Sequence, residues 1–235
     1  MIYAEKPHLY IFTGHFGSGK TEVAVNFALD LKKNKPDANV ALIDMDIINP
    51  FFRSADARGR LEKRGIRVET MLFANTNVDV PALSGAMGPL IADESTYVIL
   101  DVGGDDLGAK AVGYYAQLIK DRPHTAFFVL NPYRPFTKEI ADTAGIFGEI
   151  EESALIKIDA LIDNSNLLEY TDASVIAKGG TKVKAFAEFA KLPVLCHAVM
   201  SKNHEAVAAA KAMYQNEKLL ILDETVTLLF DRDYR

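Results

Sequence analysis

The 235-residue sequence predicts an α/β fold, a mainly parallel sheet flanked by helices. Three observations carry that expectation. Apolar runs of strand length alternate with longer segments of helical period. Two of those runs end in aspartate, Ala41-Leu42-Ile43-Asp44 and Tyr97-Val98-Ile99-Leu100-Asp101. Open α/β sheets present ligand-binding groups at that carboxyl edge. A glycine-rich turn, Gly14-His15-Phe16-Gly17-Ser18-Gly19-Lys20-Thr21, joins the first apolar run to the first helical segment.

The elements follow in order. Leu9-Tyr10-Ile11-Phe12-Thr13 is the first strand. Residues 20–32 form a helix with Val23, Ala24, Phe27, Ala28 and Leu31 on one face. Residues 40–43 and 67–73 are the next two strands, and 81–92 is a helix with Pro81 in its tolerant first turn. Residues 97–100 form a strand, 108–120 a helix, and 125–130 a strand that stops at Asn131-Pro132. The second half repeats the rhythm: helix 138–147, strand 158–162, helix 182–192, strand 194–198, helix 204–214. The tail 219–230 is apolar in an ambiguous pattern, an edge strand with its connection or a helix. Its acidic interruptions, and the lack of a Lys/Arg face, favour a packed tail over a membrane-surface helix. Nothing in the composition divides the chain, so residues 1–235 read as one domain.

Composition narrows the function classes. The formal net charge is -6, whereas a domain that grips nucleic acid through its surface field is usually basic. Cys196 is the only cysteine, which excludes an intrachain disulfide and a Cys-pair metal site. It sits in an apolar strand and reads as a core residue. The first residues lack the basic start and apolar run of a secretory signal. No apolar stretch reaches the roughly 18 residues of a membrane span. The expected location is therefore the cytoplasm, with no membrane or nucleic-acid partner.

The glycine-rich turn fits G-x-x-x-x-G-K-[ST]. Gly14, Gly17 and Gly19 let the backbone enter conformations closed to other residues. Such a curl points the N–H groups of His15, Phe16, Gly17, Ser18 and Gly19 at a common centre, an anion nest. The helix that follows adds its unpaired donors and dipole. Lys20 is then placed for the β- and γ-phosphates and the Thr21 hydroxyl for Mg²⁺. The glycine spacing is G-x-x-G-x-G, which is not the dinucleotide fingerprint.

Acidic partners complete the pattern. Period two puts Asp44 and Asp46 on one side of an extended chain. Asp101 ends a Walker B run and is placed to hold a metal-bound water. Asp101-Val102-Gly103-Gly104 also has the D-x-x-G form, in which the Gly104 N–H meets the γ-phosphate and loses it after hydrolysis.

The order loop, Asp-x-Asp, D-x-x-G resembles the MinD/ParA/CobB-CobQ branch of the P-loop NTPases, from Leu9 to about Ala198. The resemblance implies a three-layer P-loop NTPase fold with about seven mainly parallel strands. It implies an ATP-driven switch, in which Asp44 helps to hold Mg²⁺ and Asp46 opens switch I and orients the attacking water. Lys20 and Asp46 are its catalytic residues; Thr21, Asp44 and Asp101 surround the metal. It also sets Asn164, after a late strand, against the base. With no N-K-x-D motif to read guanine, ATP is favoured over GTP. One departure matters: His15 and Phe16 stand where the branch has Lys-Gly. Its lysine-across-a-dimer mechanism therefore does not carry over, and Arg53 and Arg134 are alternative sources of charge. The branch's iron–sulfur cysteines, CobQ-type amidotransferase domain and basic MinD tail are all missing.

Three functions remain. The first is a slow ATPase acting as a switch for a protein partner, with a homodimer as one form of partnership. The second is an ATP-dependent small-molecule kinase or ligase of the dethiobiotin synthetase type, with His15, Tyr133 and Arg134 lining a substrate pocket. The third is a nucleotide-holding interaction module with little hydrolysis.

Overall fold

The computed structural model describes residues 2–46, 58–70, 87–104 and 106–223. Among the described residues, eight parallel strands form one sheet in the order β3-β2-β4-β1-β5-β6-β7-β8. They are β1 (Leu9–Thr13), β2 (Asn39–Met45), β3 (Ile66–Thr70), β4 (Thr96–Val102), β5 (His124–Leu130), β6 (Ala160–Asp163), β7 (Val194–Met200) and β8 (Leu219–Leu222). Between them run α1 (Lys20–Asn34), α2 (Arg58–Glu62), α3 (Met87–Ala92), α4 (Asp106–Tyr114), α5 (Ala116–Lys120), α6 (Ile140–Ala154), α7 (Ala173–Ala190) and α8 (His204–Met213). The α/β class and the parallel sheet match the sequence expectation, with eight strands for about seven.

The central strands are apolar throughout because both faces are covered. In β1, Leu9 and Ile11 enter a core lined by α3, α4 and α5, while Tyr10 and Phe12 enter the core around α1. Strand β4 divides the same way, Val98, Leu100 and Val102 against Tyr97 and Ile99. This parity fixes the acids. Asp44 follows Leu42 by two residues and Asp101 follows Ile99 by two, so both emerge on the α1 face. The β2–β4 register sets them side by side as partners.

Several boundaries differ from the sequence reading. The helix expected at 108–120 is two, α4 and α5, divided at Tyr115, whose N–H bonds back to Val112 O in a tighter turn. Helix α6 runs on to Ala154 through Gly145 and Gly148, and α7 begins at Ala173 rather than at 182. Asp172 caps α7 by accepting the Val175 N–H. The pair Gly179-Gly180 obscured that helix in the sequence, yet it serves packing. A Cβ on Gly180 would lie 2.0 Å from the Tyr214 hydroxyl, and one on Gly179 2.3 Å from Ser165 Oγ. Strand β3 ends at Thr70 within the described residues, and the first turns of the helix expected at 81–92 lie outside them. The tail begins as an edge strand, β8, and the rest of 219–230 lies outside the described residues. No described helix is long and apolar enough to cross a membrane.

Candidate nucleotide site

Strands β1 and β4 are neighbours, and the chain leaves β1 towards β2 on one side and β4 towards β5 on the other. The loop after β1 therefore opens into the crevice at a topological switch point, where α/β sheets bind ligands. Gly14, Gly17 and Gly19 have φ of 141°, 75° and 84°, so the curl expected from the sequence is present. Gly14 is held tightly, since a Cβ there would sit 2.4 Å from Val129 O. Ser18 Oγ is buried beside it without a hydrogen-bond partner.

Lys20 and Thr21 open α1, and both are buried. Lys20 Nζ lies 3.4 Å from His15 O across the loop. Its ammonium, with burial as the larger cause, holds the His15 imidazole below its usual pKa. Beyond β4, Gly104 backs onto the same loop. A Cβ there would lie 2.6 Å from the Phe16 amide nitrogen and 2.8 Å from Lys20 Nζ, so only glycine fits. The structure thus brings the D-x-x-G segment against both the loop and its lysine.

The acids converge from the other side. Asp101 is 1% exposed, and neither of its carboxylate oxygens has a hydrogen-bond partner. Burial and then the neighbouring Asp44 carboxylate push its pKa well above the ordinary carboxylate range. Lys20 and then the Thr21 side chain work against that rise. Asp44 Oδ1 accepts the Asp46 N–H at 3.0 Å, which turns the chain at the strand end. A bare buried carboxylate beside a second one is costly unless a cation completes it.

Mg²⁺ fits this donor set. It takes one or two carboxylates, a hydroxyl and phosphate oxygens rather than an all-protein cage. Thr21, Asp44 and Asp101 would hold it, and bound there it would neutralise charge between the phosphates. Among the described residues no group of three or more His, Cys, Asp or Glu side chains could hold a metal by itself.

Two further residues touch the loop. Asn164, at the end of β6, donates from Nδ2 to Ser18 O at 2.7 Å, a contact with the loop backbone. Arg134, after β5, donates from Nε to Gly17 O at 2.7 Å. The sequence raised Arg134 as a source of charge and as a pocket residue; the turn Asn131-Pro132-Tyr133-Arg134 gave no motif that reads as a loop brace. Arg53 lies outside the described residues. The three residues offered as a substrate pocket are each engaged: the His15 ring packs edge-on against Phe136, Arg134 holds Gly17 O, and the Tyr133 hydroxyl donates to Val175 O. Cys196 is buried, and burial pushes its thiol pKa up to about 12, as suits a core residue.

A second buried polar cluster went unread in the sequence. His197 Nδ1 meets Asp163 Oδ2 at 2.7 Å and Nε2 meets Glu217 Oε2 at 2.6 Å. Two carboxylates accepting from both ring nitrogens require the imidazolium. The Tyr214 ring stacks on it with centroids 3.5 Å apart. Its partners are 34 and 20 residues away, so no local motif announces it. The one signal is a histidine inside the otherwise apolar run Val194-Leu195-Cys196-His197-Ala198-Val199.

No protein-family model matches the chain, and no curated protein matches it. Solved structures do. The signal recognition particle 54 kDa protein from Aeropyrum pernix K1, in complex with GDP, superposes with a TM-score of 0.51 at 15% identity. The match covers 82% of this chain and 41% of that one, so this chain spans about two fifths of that protein's length. At that identity the likeness establishes the fold. The chain has the P-loop NTPase fold, with its glycine-rich loop at the switch point of a parallel sheet.

Proposed function

We propose that this chain binds a magnesium nucleoside triphosphate on residues 14–21 and uses it as a slow, hydrolysis-reset switch for a protein partner. The observation that carries the reading is the convergence of four segments on one point. The loop, the Lys20-Thr21 helix start, the Asp44/Asp101 pair and Gly104 come from three neighbouring strands, β1, β2 and β4. In the bound state Lys20 compensates phosphate charge and the loop N–H groups bind the phosphate oxygens. The Gly104 N–H reports the terminal phosphate, and Asp46 orients water. Catalysis of this kind is positioning and charge neutralisation, and it is slow until both are complete.

Adenine is the first choice of base. The residue three after Asn164, where a guanine reader carries its carboxylate, is Leu167. The GDP in the solved relative makes guanine the second reading. The kinase reading has less support, because His15, Tyr133 and Arg134 are engaged elsewhere.

Hydrogen exchange in the MgATP, MgADP and nucleotide-free states tests the switch. The segment after Asp101, residues 102–114, should be protected more by MgATP than by MgADP. Equal protection by the two nucleotides would rule the switch out and leave a holding module.

A further inference from the structure

Consecutive carbonyls of the phosphate loop are gripped from outside by side chains from different strand ends. Asn164 takes Ser18 O and Arg134 takes Gly17 O, each at 2.7 Å. The geometry has a reason. A loop whose N–H groups point inward turns its carbonyls outward, and an outward carbonyl in a buried site needs its own donor.

Arg134 is not a loose surface arm. Its Nε, Cδ and Cζ lie 3.5–3.8 Å from where a Gly17 Cβ would be, so the side chain lies flat over that glycine. The turn that carries it is braced several times. Asn131 is fully buried, its Oδ1 accepts the Tyr133 N–H at 3.1 Å, and its carbonyl accepts the Thr137 hydroxyl at 2.6 Å. The Tyr133 hydroxyl ties the turn to α7 through Val175 O at 2.6 Å. Arginine brings a planar, delocalised cation to such a contact. That charge reaches α1: burial raises the Glu22 pKa, and Lys20 and then Arg134 work against that rise.

We propose that Arg134 is a positioning residue of the phosphate site. It locks the Gly17–Ser18 peptide with its carbonyl outward, and it adds a second fixed cation, on the outer face of the loop, whose field reaches the same Glu22 that Lys20 reaches. The inference rests on the reading that residues 14–21 hold a nucleoside triphosphate. It adds the source of the charge that His15, in place of a lysine, does not provide.

The test is calorimetric titration of MgATP and MgGTP into wild type, Arg134→Ala, Arg134→Lys and Lys20→Ala over a range of KCl concentrations. Thermal melts of each variant confirm the fold. Loss of a charged hydrogen bond to the loop should weaken the preferred nucleotide about ten- to a hundredfold in Arg134→Ala. Its affinity should also depend less steeply on salt. Arg134→Lys should restore the salt dependence and part of the affinity. Wild-type affinity and salt dependence in a folded Arg134→Ala would overturn the assignment while Lys20→Ala still lost binding. Equal losses in the two Arg134 variants with unchanged salt dependence would overturn the charge role. Failure of wild type to bind either nucleotide would overturn the parent reading itself.

Discussion

Two buried charge clusters lie on this sheet, and they are built on opposite principles. At the β2–β4 end, Asp44 and Asp101 sit side by side, and Asp101 has no hydrogen-bond partner on either oxygen. At the β6–β7 end, His197 is equally buried, but both of its ring nitrogens meet carboxylates. Asp163 also accepts the Ser165 N–H and hydroxyl, and Glu217 pairs with Lys184 at 2.8 Å. The second cluster is complete within the chain, so it contributes to the fold. In the first, burial and the neighbouring Asp44 outweigh what Lys20 and Thr21 contribute at Asp101, so the Asp101 carboxylate costs stability until a cation arrives. Buried charge alone does not mark a functional site; buried charge that the protein leaves unmatched does.

Substitutions at the two clusters should therefore move stability in opposite directions. The largest effect is expected for His197→Ala, which strands Asp163 in the interior. A loss of about 3–5 kcal/mol in chemical denaturation follows from breaking a buried ion pair. A near-neutral result would mean that Asp163 is satisfied without the imidazole. Asp101→Asn should do the reverse. It removes a desolvated like charge, so the nucleotide-free protein should gain on the order of 1–3 kcal/mol while losing Mg²⁺-dependent nucleotide binding. If the variant were destabilised instead, the carboxylate pair would be a structural feature rather than an unfilled site.

A smaller effect separates the clusters by pH. Hydrogen bonds to Asp163 and Glu217 outweigh burial and raise the His197 pKa above its ordinary 6.5. A raised imidazole contributes stability that is full below 6.5 and lost as pH rises through the folded-state value. Glu217, lowered from 4.5 by its Lys184 and His197 hydrogen bonds, contributes above 4.5 and fades as pH falls through its folded value. Stability measured against pH should therefore decline as pH rises above 6.5. His197→Ala should remove that decline, and a decline that persisted in the variant would assign it to another group.

Much of the first cluster was legible in the sequence and almost none of the second. The phosphate loop is contiguous, because a nest is made by neighbouring peptides, and its glycines declare the backbone they need. Asp44 and Asp101 were legible because strand parity and a terminal position are properties of a short run. Asp163, His197 and Glu217 come from β6, β7 and the turn before β8, and only the folded sheet brings them together. Arg134 was hidden similarly: its contact joins residues 117 positions apart. The helices misjudged most, α6 and α7, contain internal glycines. Propensity sets each glycine about 1 kcal/mol against a helix, and packing against Ser165 and Tyr214 overrode it in α7. The family resemblance set Asn164 against the base, and its contact with Ser18 O needed coordinates to see.

Titration of MgATP and MgGTP into wild type and Lys20→Ala, with Mg²⁺ present and chelated, is the most direct test of the phosphate-site account. Wild type should bind the triphosphate one-to-one and only with Mg²⁺, more tightly for ATP, and binding should weaken about a hundredfold or more when Lys20 loses its charge-assisted contacts. Binding that survives both Lys20→Ala and Mg²⁺ chelation would contradict that account, and so would a folded wild type that binds neither nucleotide.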